Sequence, residues 1–310
     1  MEIKGVILAA GKGVRMLPFT NHFPKPILPI CNKPLLQYQI EAMKNIGIED
    51  ILIVIGHLGF EIVTAIGNGS RFGINIKYVE QEKTLGIAHA IYKLEQEINS
   101  PFLLFLGDIF FRTDKLQQMI ESIESDNISA VLATKTEYNK EAIQRNFAVL
   151  CDETGYVKRV IEKPKHVSNN LKGCGMYLFS LDIFDALRRT PRTAMRDEYE
   201  ITDAIQILIS DGNKVCHKNI IEEDINLSFP SDLIECNLRE LKRLRKDNLI
   251  GENCTIADNV RLTNSILGNN VSITHDIEIK NTVVFSNLEI DKSIKKLANT
   301  IVTPHQRINC

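Results

Sequence analysis

Short apolar runs that alternate with helix-patterned stretches dominate the first half of this 310-residue chain, and that alternation leaves it few architectures. The runs cover residues 5–9, 51–55, 74–79, 102–106 and 130–133. Each is rich in β-branched or aromatic side chains and bounded by turn residues, so each reads as a buried strand. Between the first two, Leu36, Ile40, Met43 and Ile46 form an apolar stripe of helical period, Pro34 suits the first helical position, and Gly47 sits where a helix stops. Strands alternating with helices predict an α/β domain of Rossmann-like form, with a mixed, mostly parallel sheet covered on both faces. From about residue 146 the pattern turns β-rich, with strands expected at 147–151, 156–161 and 175–179 and a turn at 152–155. This stretch is expected to be a substrate-binding half. Helices follow at about 201–210 and 231–246, the second ending in a Lys-Arg-Leu-Arg-Lys run that should face water.

The last sixty residues repeat. Residues 250–266, 267–283 and 284–300 align as three segments of seventeen. In the first two, aliphatic residues recur at steps of six: Ile250, Ile256 and Leu262, then Leu267, Ile273 and Ile279; the third keeps Val284 and Ile290. With Gly-Glu-Asn and Gly-Asn-Asn corners, this spacing predicts a short three-sided parallel β-helix, one coil per segment. A stack so short needs its ends covered, which points to self-association or to docking on the first domain.

Composition narrows the function. A formal net charge of −2 offers no basic surplus for following a phosphate backbone, so nucleic acid is not an expected partner and any phosphate handling should be local. Seven cysteines, an odd number without a C-x-x-C pair, read as reduced thiols. Residues 1–8 read as a first strand and not as a signal segment. No run approaches the ~18 apolar residues of a membrane span, so no membrane contact is expected and the cytoplasm is the expected compartment.

The densest chemical signal is Leu8-Ala9-Ala10-Gly11-Lys12-Gly13-Val14-Arg15-Met16, directly after the first strand, where ligands of open α/β sheets bind. Glycines let backbone N–H groups approach phosphate oxygens, and Arg15 can offset the same charge. The loop lacks the spacing of G-x-x-x-x-G-K-[ST], and Met16 stands where a dinucleotide fingerprint needs its third glycine. Pro24-Lys25-Pro26 then holds a lysine between two rigid residues, a setting for a fixed cation.

Together the loop and Pro24-Lys25-Pro26-Ile27-Leu28-Pro29 resemble the opening of the sugar-phosphate nucleotidyltransferases, which include the glucose-1-phosphate thymidylyltransferases and uridylyltransferases. The resemblance runs through about the first 245 residues. It implies a Mg²⁺-dependent transfer between a nucleoside triphosphate (dTTP or UTP) and a sugar 1-phosphate, with glucose 1-phosphate the first choice and N-acetylglucosamine 1-phosphate the second. The uncovered ends of the repeat stack, not the resemblance, make a homo-oligomer the expected assembly. On this resemblance Leu8, Ala10, Gly11, Gly13, Gln81 and Gly86 bind the nucleotide, Gln81 reading a pyrimidine edge through an amide that both donates and accepts. Arg15, Lys25 and Lys163 are the catalytic cations. Asp108, in Gly107-Asp108 at the tip of a buried strand, is the metal ligand, with Asn226 its partner and Asp224 the alternative. Glu162, in Glu162-Lys163-Pro164, and Gly175 and Tyr177, in Gly173-Cys174-Gly175-Met176-Tyr177, are sugar-binding. So is Phe147, in Asn146-Phe147-Ala148, where the family has Tyr-Gly-Val. Val14 for threonine and Ile109 after Asp108 are two further departures from the family pattern. The implied division is a nucleotidyltransferase domain at 1–230, a linking helix at 231–248, a left-handed, hexapeptide-like β-helix at 249–300 and a tail at 301–310. A non-catalytic nucleotide-sugar-binding relative is the competing reading; such relatives usually lose one of Arg15, Lys25 or Asp108, and all three are present.

Overall fold

Each of the expected runs forms a strand in a computed structural model that describes residues 2–124, 127–194 and 197–310. The strands used below are β1 (Lys4–Leu8), β2 (Asp50–Ile55), β3 (Asn75–Glu80), β4 (Phe102–Leu106), β5 (Ile128–Thr136), β6 (Phe147–Cys151), β7 (Val157–Glu162), β8 (Leu171–Phe179) and β9 (Lys214–Asn219). They make one sheet in the order β7-β6-β8-β4-β1-β2-β3, with β5 along the other edge of β8 and β9 beyond it. β4, β1, β2 and β3 are mutually parallel, as helical crossovers demand, whereas β8 enters antiparallel to β4, β5 and β6. The sheet is therefore mixed. β8 changes register against β5 between Gly173 and Tyr177, a bulge that re-aims the strand next to the ends of β4 and β6.

Helix starts and stops follow local chemistry. Gly47, at φ 81°, ends the Leu35–Asn45 helix by donating to Lys44 O. Pro34, expected as the first helical residue, instead pairs with Pro29 in a two-residue hairpin just before the helix. Asp232 Oδ2 accepts from Ser228 and Phe229 N–H and caps the Pro230–Arg243 helix. Among the described residues no helix is long and apolar enough to cross a membrane.

The chain divides into two compact units. The first joins the residues up to Lys12 to Gln39–Asp224 and contains the sheet; the second joins Gly13–Tyr38 to Ile225–Cys310. In the second unit, three parallel ladders collect the C-terminal strands: Leu249–Ile266–Val283–Ile301, Thr255–Ser272–Glu289 and Leu262–Ile279–Leu297. The steps are seventeen residues, except the last step on the first and third ladders, which is eighteen. That added residue explains why the aliphatic pattern fades in the third segment. Leu267, Ile273, Ile279, Val284 and Ile290 are buried at the centre, whereas Ile250 at the first turn is 48% exposed. The corners are asparagines with positive φ: Asn253, Asn270 and Asn287 on one edge, Asn264, Asn281 and Asn299 on another. Asparagine tolerates this conformation better than other side chains with a Cβ. Its amides stack, with Asn270 donating to Asn287 (2.7 Å) and Asn281 to Asn299 (3.0 Å).

These ladders carry the Gly13–Tyr38 segment. Asn32 Nδ2 donates to Leu267 O at 2.7 Å, Phe19 and Phe23 meet Phe285 edge to face at 5.7 and 5.1 Å, and His22 stacks on His305 at 3.9 Å. From the Pro230–Arg243 helix, buried Asn237 accepts from Cys31 N–H (2.7 Å) and donates to Pro29 O (2.9 Å). The segment that carries Arg15 and Lys25 is thus built on contacts with residues more than two hundred positions away in sequence.

Candidate active site

The carboxyl ends of β1, β2, β3 and β4 converge on one edge of the first unit. Ala9 N–H donates to Val54 O (2.7 Å) and Gly107 N–H to Leu8 O (2.8 Å), drawing the start of the glycine loop against the ends of β2 and β4. The approach leaves no space for side chains: a Cβ on Gly107 would lie 2.7 Å from Leu8 O, and one on Gly56 3.0 Å from Ala10 O. Gln81 N–H donates to Ile55 O at 2.8 Å, which brings this residue to the same edge. Leu8, Ala10, Gln81 and Asp108 are thus neighbours along one rim, where strand ends present backbone N–H groups to a ligand. At Gly11 an added Cβ would meet nothing within 4 Å, so the chain itself leaves that approach open.

Gly86 has φ 106°, and a Cβ there would fall 2.5 Å from Tyr199 O. Its neighbours are tied to the same residue, since Tyr199 N–H donates to Leu85 O (2.8 Å) and Ala88 N–H to Tyr199 O (3.0 Å). Gln81 Nε2 lies 3.4 Å from His89 Nδ1. Burial, reinforced by Lys93, lowers the His89 pKa below its ordinary 6.5, so the ring is neutral at pH 7 and can accept. The Gln81 amide also carries an oxygen and a second N–H, the acceptor and donor that a base edge would need. Tyr199 and His89 were not anticipated, because only the tertiary fold brings residue 199 to residue 86.

On the other side of β4, Glu162 pairs in register with Phe147, and Lys163 N–H donates to Asn146 O at 2.7 Å. Lys163 sits at φ 41°, a conformation costly for lysine and of the kind held at working sites; its Nζ is 3.6 Å from Glu162 Oε1. Gly175 forms the bulge in β8 at φ 67°, where a Cβ would meet Ile109 Cδ1 at 2.4 Å and Leu106 Cδ1 at 2.9 Å. It therefore lies against both flanks of the Gly107–Asp108 turn. Phe147 and Tyr177, expected at the sugar, have their rings in the core at 4% and 1% exposure. The Phe147 ring stacks on Tyr177 at 5.9 Å and occupies the space over Gly173, where a Cβ would be 1.9 Å from its Cζ. Apolar burial outweighs any role at the rim, which leaves only the backbone of these two residues for a sugar. Desolvation correspondingly drives the Tyr177 hydroxyl pKa well above its usual value.

Asp224 is held by Lys172, whose Nζ is 2.8 and 2.6 Å from the two carboxylate oxygens, with both side chains almost fully buried. Lys135 Nζ approaches the same carboxylate at 3.7 Å. Of the two candidates for the second metal ligand, Asp224 is thus already paired, and Asn226 ends the same Glu223–Asn226 strand. Lys172 was also missed, although a lysine inside the otherwise apolar β8 is a signal that a carboxylate lies opposite.

The second unit holds the remaining predicted cations. Gly13, at φ 63°, leaves room for Lys25, whose Cε would be 2.9 Å from an added Cβ, and Thr20 Oγ1 donates to Gly13 O at 3.0 Å. Lys25 is buried, consistent with a fixed position. Arg15 is exposed, its guanidinium 5.9 Å from the centre of the Phe229 ring.

Residues 4–225 match the family model described as nucleotidyl transferase. The low-salt glycan biosynthesis nucleotidyltransferase Agl11 of Haloferax volcanii is 34% identical over 268 residues, covering 85% of this chain and 73% of the relative. The glucose-1-phosphate thymidylyltransferase of Streptomyces griseus is 33% identical over 267 residues, covering 83% and 72%. A crystal structure of UDP-glucose pyrophosphorylase with UDP-glucose superposes with a TM-score of 0.70 at 26% identity, covering 78% of this chain and all of that one. A family model that spans most of the sheet unit, and relatives aligned over more than two thirds of their length, leave one conclusion: the chain belongs to the nucleotidyl transferase family.

Proposed function

We propose that the protein condenses a sugar 1-phosphate, glucose 1-phosphate first, with dTTP or UTP to give a nucleotide sugar and pyrophosphate. The observation that carries this reading is the shared rim of Leu8, Ala10, Gln81 and Asp108 at the strand ends, a backbone cradle with a pyrimidine reader and a carboxylate beside it. The thymidylyltransferase relative and the UDP-glucose complex of the pyrophosphorylase support the choice of base and sugar classes.

In this reading a sugar-phosphate oxygen attacks the α-phosphorus in line as the bond to pyrophosphate breaks. That oxygen is already ionised, so no general base is needed. Both reactants are anions, and the protein's task is to hold them together: Arg15 on the triphosphate, Lys25 and Lys163 on the phosphoryl groups, Glu162 and the backbone at Gly175 on the sugar. A bound Mg²⁺ would be held by Asp108 and Asn226 and would offset charge on the triphosphate. The oxygen donors suit that ion. We read the three C-terminal ladders as a short left-handed β-helix that supports the Arg15–Lys25 segment. The test is pyrophosphate release with Mg²⁺ across dTTP, UTP, CTP and ATP against glucose, N-acetylglucosamine and mannose 1-phosphates. Turnover confined to a pyrimidine nucleotide and a gluco-configured sugar is expected; release with ATP alone would overturn the Gln81 assignment.

A further inference from the structure

Gln39 lies in the Leu35–Asn45 helix, between Leu36 and Ile40 of its apolar stripe, and is 1% exposed. Its Nε2 donates to Leu106 O at 2.9 Å and to Ile109 O at 2.8 Å. These two carbonyls flank the Gly107–Asp108 turn, so one buried amide ties both ends of the two-residue segment that carries the carboxylate. Gly107 N–H, donating to Leu8 O, anchors the turn from the other side.

The same amide leaves its Oε1 buried with no hydrogen-bond partner among the described residues. Rotating the amide would point that oxygen at two carbonyl oxygens, so the observed orientation is the one that the turn dictates. A group kept for stability alone has a simpler solution, because an apolar side chain of similar length would remove the unpaired acceptor from the interior. The unpaired oxygen is tolerated where both N–H groups are needed together, at the two carbonyls around Asp108.

We infer that Gln39 is a positioning residue, one that sets the direction in which Asp108 presents its carboxylate to a divalent cation. The inference rests on the assignment of Asp108 to the metal. Groups that orient a metal ligand without touching the ion are commonly worth about 10–100-fold in metal affinity.

The experiment compares wild type, Gln39→Met and Asp108→Asn by loss of the free Mn²⁺ electron paramagnetic resonance signal on titration, with melting curves on the same samples. Gln39→Met is expected to weaken Mn²⁺ binding at least about tenfold, and in turnover to raise the half-saturating Mg²⁺ concentration while excess metal restores most of the rate. A purely structural role would lower the melting temperature and leave the metal dependence where it was; Mn²⁺ binding equal to wild type overturns the inference. If instead Asp108→Asn binds Mn²⁺ like wild type, the metal assignment itself fails, and that outcome is distinct from the first. Should Gln39→Met not fold, Gln39→Glu keeps the shape and, when protonated, one donor. It should weaken Mn²⁺ binding increasingly as the pH rises, and a wild-type profile with Gln39→Glu overturns the inference equally.

Discussion

Asp224→Ala should destabilise the sheet unit far more than loss of a surface ion pair would. Lys172 Nζ lies 2.6–2.8 Å from both carboxylate oxygens, and the two side chains are only 4% and 1% exposed. Removing the carboxylate strands an ammonium in the interior, and truncating one partner of a buried pair costs about 3–5 kcal/mol. Lys172→Met should cost less, because Lys135 Nζ, 3.7 Å from Asp224 Oδ1, still faces the carboxylate. Replacing both, as Lys172→Met with Asp224→Leu, should restore most of the loss, since a packed apolar pair carries no desolvation penalty. For a domain of this size, at roughly 2–4 °C of melting shift per kcal/mol, Asp224→Ala should melt roughly 6–20 °C lower. The chain lacks tryptophan, so urea and thermal unfolding are followed by far-UV circular dichroism and tyrosine emission, whose coincidence also tests two-state behaviour. A cost below about 1 kcal/mol, the range of exposed pairs, would refute the argument from burial.

Gly173→Ala should destabilise by about 1–3 kcal/mol, because its Cβ would fall 1.9 Å from the Phe147 ring, and Phe147→Leu in the same chain should recover part of that in melting experiments. Gly86→Ala, strained at φ 106° and blocked by Tyr199 O at 2.5 Å, should raise the nucleotide dissociation constant in calorimetry by more than about tenfold, the equivalent of about 1.4 kcal/mol. Asn270→Ala should cost about 1–2 kcal/mol through its left-handed backbone, with Asn270→Gly nearer wild type in urea midpoints. Burial with Lys93 lowers the His89 pKa from 6.5, and burial with Lys218 does the same at His217. The unfolded chain therefore binds more protons below pH 6.5, so stability should be complete above that pH and fall below it. His217→Asn should flatten the decline, and an unchanged slope would count against the assignment.

Periodicity made much of this molecule legible in advance. The strand–helix alternation located the parallel core of the sheet, because a buried strand in such a sheet has to be a short apolar run between turns. The seventeen-residue repeat predicted which positions stack, and Ile266 over Leu249 and Ile279 over Leu262 follow that register. Pro34 was misjudged because a proline suited to a helix start is equally suited to the hairpin before it.

The sequence by itself determined the family, the glycine loop, the Gly-Asp turn and the coil repeat, since each depends on residues close together in the chain. Only the tertiary structure decided what surrounds them. Phe147 turned inward because burying its ring over Gly173 and beside Tyr177 gains more than exposing it at the rim. Lys172 with Asp224, Gln39 with the Asp108 turn and Tyr199 with Gly86 are pairs separated by 52 to 113 residues, and no local pattern encodes them. Local propensity acts over a few residues, whereas desolvation acts on whatever the fold brings together, so the partners of buried polar groups emerge only once the sheet has closed around them.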